Sequence, residues 1–253
     1  MDEYGKIRIE GYIGRLIENC IGNGVMAADY QPFIKAFQEK LDSEGLFCGE
    51  FWGKWFTSAA LAYEYNPRPE YLKKLEDAVE GLLAAQEEDG RISASKEDFT
   101  PWDIWGRKYA LLGLLAYYDL TRSGRVLEAA KRMADQLISK TTGDGGRRIS
   151  DTGLEALRGL SSCSVLQPFV LLYERTEKER YLSYAENLVA SWSLPSAYSP
   201  EGLRLLEQAV PGCIPAEIAA PKGYEIMSCY AGVLDLYRVT GKKQYLDAVT
   251  AYM

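Results

Sequence analysis

One tyrosine recurs four times in the same helical setting, and that repetition limits the fold more than any other feature of the chain. Tyr63, Tyr118, Tyr173 and Tyr237 each stand eight and nine positions before a pair ending in leucine: Tyr71-Leu72, Val126-Leu127, Tyr181-Leu182 and Tyr245-Leu246. Three positions after each comes a polar residue suited to ending a helix: Asn66, Thr121, Thr176 and Thr240. The steps of 55, 55 and 64 residues (118−63, 173−118, 237−173) have the length of a helix, a tight turn and a second helix. Hairpins of this kind, stacked or closed into a ring, place the start of every first helix at one end, around one cavity.

The spacing predicts first helices near residues 51–65, 105–120, 162–174 and 225–239, and second helices near 70–86, 126–139, 180–192 and 244–253. The first set is apolar on nearly every side and the second is amphipathic, so the first should form an inner layer sheathed by the second. Pro168 should kink the third inner helix or delay its start. Ahead of these, apolar residues at Ile9, Ile13, Leu16, Ile17 and Cys20, then a segment over 30–41 ended by Ser43-Glu44-Gly45, suggest a less regular first hairpin. The fold expected is an all-α (α/α)6 toroid, one domain over 1–253, with about five hairpins and the last one unfinished. Residues 87–101, 140–157 and 194–222 are long connectors, suited to the rim of a binding site.

The chain has no histidine. That removes histidine general bases, Ser-His-Asp triads and histidine-ligated metals, and leaves carboxylates, Lys, Tyr and Cys for any chemistry. A net charge of −7 without a basic stripe argues against nucleic acid as a partner. The longest nearly apolar run, 109–118, is too short to span a bilayer. Five cysteines without a Cys-x-x-Cys spacing suggest free buried thiols in a reducing compartment. With a polar, acidic start, a cytoplasmic location is expected, although a trimmed secreted protein would look the same.

Four of the five tryptophans form two pairs, Trp52/Trp55 and Trp102/Trp105, at or just before the start of two inner helices. Grouped at a cavity mouth they suit stacking on a sugar, and they equally suit packing of a wide helix end. At the same level lie Glu50, Lys54, Asp103, Lys108, Tyr224 and Glu225. Relative to the repeat tyrosine, Glu50 is at −13, Lys54 at −9, Asp103 at −15, Lys108 at −10 and Glu225 at −12. Three carboxylates from three hairpins thus point to one end. Facing carboxylates serve glycoside hydrolysis, and carboxylates also favour helix N-termini for electrostatic reasons. Lys54 and Lys108 are available to pair with these acids.

The segments Glu50-Phe-Trp-Gly-Lys-Trp-Phe-Thr-Ser-Ala, Trp102-Asp-Ile-Trp-Gly-Arg-Lys-Tyr-Ala-Leu-Leu-Gly-Leu-Leu and Lys222-Gly-Tyr-Glu-Ile-Met-Ser-Cys-Tyr resemble the β-L-arabinofuranosidase family, glycoside hydrolase family 127. The resemblance implies an (α/α)6 toroid that binds carbohydrate at one end. It also implies a glutamate acid/base late in the barrel and a zinc-bound cysteine nucleophile, held by a Glu-Thr-Cys segment and a later Cys-Cys pair. None of these motifs occurs in the 253 residues, and Glu225-Ile-Met-Ser-Cys229 has the wrong spacing. The resemblance therefore implies a substrate cleft without catalytic residues or cofactor here, zinc entering only if a longer protein carries the cysteine motifs. The alternatives are a non-catalytic carbohydrate-binding or interaction protein, and a two-carboxylate glycosidase using Glu225 with Glu50 or Asp103. Self-association through an open edge is expected if a C-terminal region is missing.

Overall fold

A computed structural model describes residues 7–44, 48–142, 146–152, 158–220 and 222–253. Helices account for the regular structure, and no strand occurs among the described residues. The expected hairpins are present: α3 (Gly49–Tyr65) with α4 (Pro69–Leu83), α5 (Pro101–Thr121) with α6 (Gly124–Thr141), α8 (Leu166–Thr176) with α9 (Glu179–Ser191), and α11 (Gly223–Thr240) with α12 (Lys243–Tyr252). The first helices pack side by side in chain order, α3 on α5, α5 on α8 and α8 on α11, and each carries its own second helix outside it. The chain is an all-α toroid of helical hairpins.

The repeated tyrosine has a structural reason. The carbonyls of Tyr118, Tyr173 and Tyr237 each accept, at 2.7 Å, the N–H of a left-handed residue that ends the helix: Arg122, Glu177 and Gly241. This is the αL cap, which satisfies one of the carbonyls a helix end leaves open. The threonine between them works in both directions. Thr121, Thr176 and Thr240 donate to the carbonyl four residues back and accept from the N–H two residues on. The first copy departs from the pattern: Asn66 instead donates its side-chain amide to Glu18 at 2.7 Å, and Pro69 opens the next helix.

The third inner helix is broken. A short α7 (Leu160–Cys163) precedes α8, and Pro168 stands in the first turn of α8, where an absent N–H leaves no bond unmade. The opening region also differs from expectation. Helix α1 (Gly11–Asn19) runs into a π turn (Cys20–Val25), and α2 (Gln31–Glu39) ends at left-handed Lys40, ahead of Ser43. Ile9, Ile13, Leu16 and Cys20 form an exposed face, while Gly14 and Ile21 are buried. Gly45 lies outside the described residues, as do parts of the 140–157 connector.

Glycines set the spacing of α3 and α5. A Cβ on Gly53 would stand 2.1 Å from the Tyr109 carbonyl oxygen, and one on Gly113 would stand 2.4 Å from the Trp52 ring. At the same crossing a Cβ on Gly106 would stand 3.5 Å from the Gly49 Cα, and one on Gly49 would stand 3.4 Å from the Gly106 Cα. Side chains one turn away are thereby forced together across two helices.

Candidate functional site

Equal repeat positions meet at one level of the helical layer. Trp105 and Tyr224 stand thirteen residues before Tyr118 and Tyr237, as Glu50 does before Tyr63. Glu50 accepts the Trp105 indole N–H and pairs with Lys54 at 3.0 Å. The Tyr224 ring meets Trp105 edge-on with centroids 5.8 Å apart, and its hydroxyl bonds to that of Tyr109 at 2.6 Å. The Lys54 ammonium lies 5.0 Å from the Tyr109 ring and 4.9 Å from the Tyr224 ring. The Lys108 ammonium lies 4.6 Å from Trp105 and 4.8 Å from Tyr109. Glu225, buried in the first turn of α11, completes the cluster with one oxygen 3.8 Å from Lys222. Six of the ten expected residues are therefore brought together: Glu50, Lys54, Trp105, Lys108, Tyr224 and Glu225.

The electrostatics are dominated by burial. Burial pushes Lys108 down to about 8; Lys54 lowers it further, while Cys229, Glu225 and Glu50 act in the opposite direction. Burial and then the bond from Tyr224 raise the Tyr109 phenol far above its ordinary range. Burial also pushes the Cys229 thiol up to about 12, and that thiol meets the Leu160 carbonyl at 3.5 Å.

The other four expected residues lie elsewhere. Trp52 is fully buried core, stacked on Phe56 and donating to the Ala78 carbonyl at 3.2 Å, because Gly113 leaves a slot that its ring fills. Trp55 turns to the first hairpin, stacking on Tyr30 and donating to the Val25 carbonyl at 2.9 Å. Asp103 begins α5 behind its N-cap Thr100 and is sealed between Arg91 at 3.0 Å and Arg107 at 2.9 Å. That removes it from any two-carboxylate mechanism. Trp102 is partly exposed in the first turn of α5. Trp105 itself is only 4% exposed, so its face is no open platform; Tyr224, 52% exposed, forms the outer side of the cluster.

Sequence reasoning missed Tyr109, which the repeat register could have supplied: it stands nine residues before Tyr118, as Lys54 does before Tyr63. It also missed the ion network behind the site. Arg107 bonds Asp103, Asp98 and Gln136, while Arg91 bonds Asp103 and the Ser95 and Glu97 carbonyls. Together they pin the 84–100 connector to α5 as a rigid rim. The enclosed spaces lie away from this chemistry. One of about 190 Å³ is lined by Thr141, Arg148, Ile149 and Tyr184, and a cleft of about 500 Å³ by Leu61, Leu112, Ala116 and Leu171. Neither space is lined by the residues of the cluster.

Comparisons with known proteins bear on the family and the fold. The sequence model described as "Beta-L-arabinofuranosidase, GH127 catalytic domain" matches residues 10–251. The chain belongs to that family. It is 28% identical over 158 residues to the non-reducing end β-L-arabinofuranosidase of Bifidobacterium longum subsp. longum, covering 54% of this chain and 22% of that protein. Among solved structures, a family-127 β-L-arabinofuranosidase from Geobacillus stearothermophilus T6 superposes with a TM-score of 0.67 at 17% identity, over 97% of this chain and 44% of that one. A protein described as a glycoside hydrolase gives 0.64 at 18% identity, over 97% and 35%. The chain thus spans less than half the length of these relatives.

The zinc that the family resemblance implies finds no fitting donor set among the described residues. Among the described residues no three Cys, Asp or Glu side chains converge to hold an ion, and Cys229 is a protonated, buried thiol. No described helix is long and apolar enough to cross a membrane.

Proposed function

We propose that this chain forms the carbohydrate-binding wall of a glycoside hydrolase acting on arabinofuranoside-like sugars of plant or bacterial polysaccharides. The observation that carries the reading is Glu225: a buried carboxylate whose Oε2 has no hydrogen-bond partner, beside the half-exposed Tyr224 ring. A buried acceptor left open is costly, and a ligand hydroxyl is the group that would relieve it. Neutral polyhydroxylated ligands suit a pocket whose two carboxylates and two lysines balance in charge. Titration of methyl β-L-arabinofuranoside into the purified protein should give saturable heat, lost in Glu225→Leu while its circular dichroism spectrum stays that of the folded protein. No saturable heat for that sugar or for a panel of pentosides and hexosides would sink the proposal.

A second reading, hydrolysis by Glu50 and Glu225 alone, is favoured by their contrasting surroundings. Glu50 is held by a lysine and an indole N–H, whereas Glu225 sits unsatisfied in a drier place. Two carboxylates are the groups that such hydrolysis uses. Turnover of an aryl arabinofuranoside by the protein, abolished in Glu225→Gln, would support it; turnover that survives the substitution would refute it.

A further inference from the structure

We draw no further inference here: the strongest candidate, the exposed apolar face that Tyr12, Ile13 and Leu16 form on α1, carries none because nothing in the structure shows what covers it.

Discussion

Arg107 and Lys108 are neighbours on α5, both cationic and both buried, and the fold treats them oppositely. Every guanidinium nitrogen of Arg107 has a partner: Asp103, Gln136 and Asp98. The Lys108 ammonium has ring faces and no acceptor among the described residues. One helix thus carries a closed charge network on the side facing the rim connector and an open one on the side facing α3 and α11. A closed network is a structural device, fixing the 84–100 rim at the cost of desolvating many charges. An open one destabilises the folded state unless something outside the chain completes it.

The largest effect should come from breaking the closed side. Arg107→Met takes one of two arginines from Asp103 and one of three cations from Asp98, Arg91 and Lys140 remaining, and breaking a buried pair costs about 3–5 kcal/mol. For a chain of this size the melting temperature should fall by roughly 10 °C. A melting temperature within a degree or two of wild type would show that the network is not what holds the rim.

The open side should respond with the opposite sign. Lys108 is held near 8 against an ordinary 10.5, so the unfolded chain binds the proton more tightly than the folded one. Stability therefore rises as pH increases through the window from about 8 to 10.5, and below 8 the full penalty is present. A shift of this size corresponds to a penalty on the order of 3 kcal/mol. Lys108→Met should be more stable than wild type at pH 7, with the gap closing between pH 8 and 10.5. Urea titrations of both proteins across that range decide it; a constant gap would mean that Lys108 is satisfied after all.

The fold was legible because the repeat encodes its own turns. Tyr118, Tyr173 and Tyr237 with their following threonines are cap positions, and a cap is a local device that sequence states directly. The site was legible only in part, for physical reasons. Trp52 and Trp55 share a helix end with Glu50, but which face of α3 meets α5 depends on a glycine crossing that no single-helix pattern shows. Asp103 could not be placed from spacing because its partner Arg91 and the Phe99 N–H that it accepts come from an irregular connector, where spacing carries no directional information. The register of the repeat, applied position by position, does recover Glu50, Trp105 and Tyr224 as one level.

That crossing gives the next prediction. Gly53→Ala places a methyl group against the Tyr109 backbone, so α3 and α5 must separate. Overpacking of this kind costs about 1–3 kcal/mol. Because Glu50 and Trp105 meet across the same crossing, Trp105 fluorescence should also shift; an unchanged melting curve and spectrum would show that the helices are not locked there.

The smallest effect on stability should be the most informative about the open side. Glu50→Gln keeps the shape that accepts the Trp105 indole N–H but removes the charge beside Lys54, a partly exposed pair contributing less than about 1 kcal/mol. Thermal stability should hardly move. The titration of Lys108 should nevertheless move, because Glu50 is one of the groups supporting its charge and Lys54 one of those opposing it. With Glu50 neutral, one of the groups supporting the Lys108 charge is lost, and Lys108 should titrate lower than in the wild type. Isotope-detected lysine titrations would show it. A midpoint unchanged by Glu50→Gln would separate the two lysines electrostatically and divide the pocket into an Glu50–Lys54 half that is merely structural and a Lys108–Glu225 half that alone remains open.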